Sequence, residues 1–231
     1  MSGAPRVSIV VPALDEAAGI GASLAALQAF RAAGAELIVV DGGSRDATRA
    51  IAAPLADRLL EAPRGRASQM NAGAAEARSD VLLFLHADTL LPPDALEAIA
   101  AALAAGREWG RFDVTIAGGG ALLSLVAAMM NARSRLTGIA TGDQAIFARR
   151  EAFERAGRFP AIALMEDVAL SRALKRISRP ACLRERVVTS ARRWRRHGTV
   201  RTIVLMWWLR LAYALGADPG ALARRYDAGR A

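Results

Sequence analysis

Apolar residues gather in short continuous runs: Val7 to Val11, Leu37 to Val40 and Val81 to Leu85. Runs this short, rich in β-branched residues, predict parallel strands buried on both faces. Between them the pattern turns Ala-rich. The spacing predicts a helix from Glu16 to Ala33 closed by Gly34, a second from Asp46 to Ala53 stopped by Pro54, and a third from Arg66 to Ala77. A short strand is expected at Asp57 to Glu61, and Pro92-Pro93 opens a helix reaching about Ala105. This alternation implies an α/β fold with a mostly parallel, doubly wound sheet and right-handed crossovers. Further along, a strand at Arg111 to Ile116, an apolar helix at Leu122 to Met130, a strand at Ala145 to Ala148 and a helix beginning near Glu166 are expected.

The chain of 231 residues, 53% apolar and 23% charged, suits one folded domain over 1–231. Its expected parts are a ligand-binding half over about 6–115, a second half over about 116–197 that completes the pocket, and amphipathic C-terminal helices over about 198–231. Cys182 is the only cysteine, so no intrachain disulfide or thiolate cage can form, and a buried structural role is expected for it. The first strand begins within a few residues of Met1, which reads as a chain without a signal peptide and predicts a cytoplasmic protein. Segment 199–216, with Trp207-Trp208 and interrupting Arg201 and Arg210, is near the short limit for a spanning helix. It reads either as a helix on a membrane surface, at the inner face of the membrane, or as a helix buried against the sheet.

The net charge of +9 concentrates where Arg192, Arg193, Arg195 and Arg196 surround Trp194. No nucleic-acid-binding motif accompanies this patch, and 5% aromatic residues is thin for base stacking, so nucleic acid is not the expected partner. Phosphates of a small ligand or of lipid headgroups fit better.

Acidic residues stand where strands end or helices begin: Asp15-Glu16 after Pro12, Asp41 before Gly42-Gly43, Asp88 after His86-Ala87, and Glu166-Asp167. In an open α/β sheet the crevice beyond the strands' carboxyl ends binds ligands. One such acid reads as a helix cap; several in succession predict a shared polar site for a cation and a ligand. Asp88 suits Mg²⁺ or Mn²⁺ held through a diphosphate, since these hard cations take carboxylate and phosphate oxygens. His86 reads as a ligand, a ribose contact or a core-edge histidine. The carboxylate of Asp41 could accept hydrogen bonds from a base or ribose. Neither a GxGxxG fingerprint nor a Walker A lysine is present, which argues against a nicotinamide dehydrogenase and a P-loop kinase.

These segments together resemble the ordered motifs of the inverting family 2 glycosyltransferases, which have a GT-A fold. Ser8 to Pro12 with Asp15-Glu16 is similar to that family's opening strand. Asp41-Gly42-Gly43-Ser44-Arg45-Asp46 is similar to its nucleotide-binding loop, and His86-Ala87-Asp88-Thr89 to its DxD-type motif, with His in place of the first acid. Gly142-Asp143-Gln144 resembles an acceptor-side motif and Glu166-Asp167 the ED pair that carries the base. Ser190 to Trp194 resembles the QxxRW element without its Gln. The resemblance covers about residues 6 to 197. Leu85 to Thr89, Ser134 to Gly138 and the Trp-rich tail resemble a compact branch associated with radical-SAM, selenium or arsenosugar gene neighbourhoods.

The resemblance implies metal-dependent, inverting transfer of a hexose from a nucleotide-diphosphate donor, with UDP the expected nucleotide, to an unidentified acceptor hydroxyl on a small metabolite or lipid. It assigns donor binding to Pro12, Asp15, Glu16, Asp41, Gly43, Arg66, Gln69, His86, Ala87 and Asp88, with the metal, Mg²⁺ or Mn²⁺, on Asp88. Acceptor or diphosphate contacts fall to Gly142, Asp143, Gln144, Arg192, Arg193 and Trp194, and the base to Asp167 with Glu166 as the next candidate. Two other readings remain open here: a sugar-nucleotide pyrophosphorylase, whose Gly-rich basic loop after the first strand is lacking, and a non-catalytic nucleotide-sugar-binding module.

Overall fold

The computed structural model describes residues 7–118, 120–192, 194 and 198–228. Its frame is an eight-stranded sheet ordered β3-β2-β1-β4-β7-β6-β8-β5, formed by β1 (Val7–Ala13), β2 (Glu36–Asp41), β3 (Arg58–Glu61), β4 (Val81–Phe84), β5 (Thr89–Leu90), β6 (Trp109–Ala117), β7 (Ile146–Arg149) and β8 (Ala181–Ser190). β1 pairs in parallel with β2 and β4, and β2 with β3. β7 then runs antiparallel to both β4 and β6, while β6 and β8 pair in parallel.

The period of two along each central strand divides the core. Val7, Ile9, Val11, Leu37, Val39, Val81 and Leu83 face one apolar layer, and Val10, Ile38, Val40, Leu82 and Phe84 face the other. On the first face lie α1 (Ile20–Ala26), α2 (Gln28–Ala32), α3 (Thr48–Ala52), α5 (Ala95–Ala104) and α6 (Gly120–Thr137). On the second lie α4 (Arg66–Glu76), α7 (Arg150–Arg155) and α8 (Glu166–Ile177). Two helices, α9 (Thr199–Ala214) and α10 (Pro219–Ala228), follow the sheet. They pack through Leu209, Leu222 and Tyr226 on Met165 and Val168 around the start of α8.

The helix expected from Glu16 to Ala33 is two helices. The Leu24 carbonyl accepts the Leu27 N–H at 3.1 Å and the Gln28 side-chain amide at 2.8 Å, so the regular i to i+4 ladder breaks there. The helix expected at Leu122 to Met130 runs on to Thr137, because its polar last turns are tied down. Asn131 bonds both the N–H and the carbonyl of Val114 in β6, at 2.9 and 3.0 Å. Strand β8 and helix α7 have no counterpart among the elements expected from the sequence. Cys182 is half-buried in β8 rather than buried.

β6 carries an ionic cluster inside the fold. Arg111 is fully buried and bonds the Asp113 carboxylate, whose other oxygen accepts from Arg135 at 2.7 Å. Removing one partner from a buried pair leaves an uncompensated charge, a loss of ~3–5 kcal/mol. Asp113→Ala should therefore lower stability in urea denaturation by about that much. Glu108→Ala, which removes a partly exposed partner of Arg149 at 3.9 Å, should change it by less than about 1 kcal/mol. Equal losses for the two variants would mean that the cluster does not behave as a buried pair.

Candidate active site

A cleft of about 580 Å³ opens beyond the carboxyl ends of β1 and β4, as expected at the edge of an open α/β sheet. Its floor is built by loops that fasten one another. Asp15 sits at φ 52°, a left-handed conformation that costs energy for a residue with a side chain. There its N–H donates to Ser44 Oγ at 2.9 Å, and its own carboxylate accepts the Arg45 N–H at 2.8 Å. The Glu16 N–H donates to Thr48 Oγ1 at 2.8 Å, and the Ala17 N–H to Asp46 at 3.1 Å. Asp41 is buried below this junction, its carboxylate taken up by the N–H groups of Gly43 and Ser44 at 2.9 Å each and by the Ser44 hydroxyl.

The expected convergence of strand-end acids is thus partial. Asp15, Glu16 and Asp88 line the cleft, as do Pro12, Arg66, Gln69, His86, Ala87, Glu166 and Arg192. Asp41 and Gly43 do not. Asp41 turns inward, because the sharp turn after β2 exposes N–H groups that only its carboxylate reaches, so it shapes the loop rather than presenting a free oxygen. Gln69 is largely committed as well. Its amide donates to the carbonyls of Ala13 at 2.8 Å and Val40 at 2.9 Å, pinning together the ends of β1 and β2. Arg64, Leu164, Ala223 and Tyr226 also line the cleft and were not expected there. Arg64 stands in the basic stretch before α4 and Leu164 just ahead of Glu166-Asp167. For Ala223 and Tyr226 the sequence holds no signal that α10 returns to this edge.

Charge in the cleft alternates. Arg192 grips both oxygens of Glu16, at 2.9 and 2.7 Å, and lies 4.0 Å from Asp88. The Glu16 hydrogen bond outweighs desolvation and holds the Arg192 pKa above its ordinary value. Arg66 retains solvent-exposed area although protein surrounds it at the cleft wall. Burial works against its charge, but Glu166, Tyr226, Asp143 and Asp167 together outweigh that and raise its pKa. Both guanidinium groups therefore stay cationic. Arg193 and His197 lie outside the described residues, and Trp194 packs half-buried against the main core.

Behind the cleft is a small recess bordered by His86, Gly142, Glu166 and Asp167. His86 Nδ1 is 3.2 Å from an Asp143 oxygen, and a Cβ at Gly142 would stand 2.3 Å from His86 Nε2, so only glycine lets the ring sit there. Asp167 accepts the N–H of Gly142 at 2.8 Å and of Val168 at 2.7 Å. Gln144 is buried and closes a capping box with Thr141, away from the cleft. Met165, at φ 70° and buried, turns the chain so that α8 begins directly with Glu166 and Asp167. Burial, then the charge of Asp167, pushes the Glu166 pKa up, and Arg66 opposes the shift.

Among the described residues no group of three or more His, Cys, Asp or Glu side chains is arranged to hold a metal ion. Asp88 offers one hard carboxylate in a cleft with room for phosphates. That donor set fits Mg²⁺ or Mn²⁺ held jointly with a diphosphate and not by protein alone.

Sheet order, crossovers and a ligand cleft at the strands' carboxyl ends define the GT-A class of nucleotide-diphospho-sugar transferase folds. The family model described as Glycosyl transferase family 2 matches residues 8–155, well over half the chain, and the chain belongs to that family. It is similar to a PGL/p-HBAD biosynthesis glycosyltransferase of Mycobacterium tuberculosis, 40% identical over 106 residues. That match takes in 42% of this chain and 41% of the relative, so the chain spans about two fifths of the relative's length. Among solved structures it is similar to the mannosyltransferase PcManGT from Pyrobaculum calidifontis in complex with GDP-Man and Mn²⁺, with TM-score 0.70 and 21% identity over 99% of this chain and 70% of that one. Staphylococcus aureus TarS in complex with UDP-GlcNAc has TM-score 0.65 and 17% identity, over 81% of this chain and 59% of that one. At these identities the likeness concerns the fold.

The Glu166 shift fixes a sign. A carboxyl whose pKa is raised by folding binds more protons in the native state, so its contribution to stability falls as pH rises above the ordinary glutamate range. Glu166→Gln removes that penalty. Its gain in melting temperature over the parent should grow from acid to neutral pH. A gain independent of pH would show that burial of the ionised form is not what Glu166 costs the fold.

Proposed function

We propose that the protein transfers a sugar from a nucleotide-diphosphate donor, with UDP the nucleotide, to an acceptor hydroxyl, with inversion at the anomeric carbon. The observation that carries this reading is the cleft in which Asp88 and Arg192 stand over the strand ends while Glu166 borders its inner wall. The nucleoside lies over Pro12 to Glu16, and Arg66 and Arg192 take the diphosphate. Guanidinium groups suit its oxygens because they offer planar, charge-assisted hydrogen bonds. Asp88 would hold the Mg²⁺ or Mn²⁺ ion, which supplies neutralisation of charge on the leaving diphosphate. The PcManGT and TarS complexes support a nucleotide-sugar donor by analogy of fold.

The acceptor oxygen attacks the anomeric carbon from the side opposite the diphosphate, the bond to the diphosphate oxygen breaks, and the hydroxyl proton passes to protein. The Glu166–Asp167 pair takes it. Glu166 borders both cleft and recess, and burial, then the charge of Asp167, raises its affinity for a proton. A pyrophosphorylase would release pyrophosphate, and a binding module would release nothing.

Incubation with UDP-sugars, Mn²⁺ and candidate acceptors should release UDP. Asp167→Asn and Glu166→Gln should each cut release by at least about a hundredfold, the scale of a lost general base, with donor binding retained. A loss below about tenfold for Asp167→Asn beside a collapse for Glu166→Gln would assign the proton to Glu166 alone. Small losses in both would remove the pair from the mechanism. EDTA should abolish release, whereas full activity in EDTA would exclude a metal-dependent reaction.

A further inference from the structure

Helices α6 and α9 each expose a row of large apolar side chains. On α9 these are Val200, Val204, Trp207, Trp208 and Leu211, continued by Leu215 just past its end, all between 41% and 80% exposed. At about 100° per residue they fall within roughly 100° of arc. On α6, Leu122, Leu125, Met129 and Leu136 are 42–88% exposed and share about 60°. Arg133 of α6 and Arg210 of α9 lie within electrostatic range of each other. Burial, then the positive charge of Arg210, pushes the Arg133 pKa down to about 10. Arg133 Nε and Nη2 and Arg210 Nε are buried and have no hydrogen-bond partner among the described residues, so these two groups are part of the packing and not of the exposed face. Neither helix contains an acidic residue, and both carry arginine, at 133 and 135 and at 201 and 210.

We propose that this two-helix face seats on the surface of a bilayer with anionic headgroups. Exposed apolar rows of this size on a soluble fold mark an interaction site. The charge pattern selects the occupant. A second copy would set arginine against arginine in a chain already at +9. A layer of anionic phosphates instead gives acceptors to the exposed Arg201 and to the exposed Arg225, whose guanidinium lies over the Trp208 ring at 4.3 Å, while the apolar rows enter the acyl boundary. Paired Trp side chains suit that depth, where an apolar ring with one polar N–H is partly wet. No described helix is long and apolar enough to cross a membrane, so the mode is lying on the surface. The expectation for segment 199–216 thereby gains a second element, α6, that the sequence marked only as an apolar helix.

The full chain should cosediment with phosphatidylglycerol-containing phosphatidylcholine vesicles, with a blue shift of Trp207 and Trp208 fluorescence. Binding should be weaker to phosphatidylcholine alone and at high salt. Leu125→Asp and Leu211→Asp should each weaken it by about tenfold or more, the factor expected for one large apolar side chain withdrawn. Both positions are exposed, so the parent melting temperature should be kept. A parent that stays in the supernatant overturns the proposal, as do variants that bind like the parent. A concentration-dependent dimer abolished by Leu211→Asp, without vesicle binding, does the same. Surface binding needs neither donor nor acceptor. Vesicle binding without UDP release would therefore count against transfer alone, and UDP release without vesicle binding against the surface alone.

Discussion

Where parallel strands end, backbone N–H groups and carbonyls lose their ladder partners and must find others, and the cleft of this protein is built on that requirement. Asp41 supplies acceptors to the turn after β2, Asp15 to Arg45, and Asp46 to Ala17, while Gln69 serves the carbonyls of Ala13 and Val40. A buried backbone group left unpaired costs about as much as a lost hydrogen bond. These side chains therefore hold two loops in one geometry before any ligand arrives. The strained turn at Asp15 persists because its neighbours on both sides are fastened.

That rigidity divides labour among residues of one type. Asp88, Glu16 and Asp15 reach the cleft, whereas Asp41 is spent on the scaffold. Glu166 and Asp167 both border the recess, but successive helical residues point about 100° apart and only Glu166 also reaches the cleft. Glu166 borders the cleft and Asp167 turns to Gly142.

Much of this was legible in the sequence for physical reasons. Strands β1, β2 and β4 are buried on both faces and so read as continuous apolar runs, and acids at their ends mark the cleft. Strand β8 is not legible in the sequence because Arg184, Glu185 and Arg186 break its alternation where the strand is partly exposed. The inward turn of Asp41 depends on a backbone path that residue type does not encode. Ala223 and Tyr226 come to the cleft by tertiary packing of α10, which no local periodicity records. The split of the first helix rests on one glutamine amide competing for one carbonyl.

Helix α10 borders the cleft through Ala223 and Tyr226, and Arg225 on the same helix stacks over the Trp208 ring of α9 at 4.3 Å. One rigid element thus touches the ligand space on one side and the exposed apolar row on the other. Free-energy coupling between two binding events is reciprocal. If fastening α9 steadies that wall and favours the nucleotide by some factor, the nucleotide strengthens the fastening of α9 by the same factor. Residence at a surface and occupancy of the cleft would then be two readings of one equilibrium.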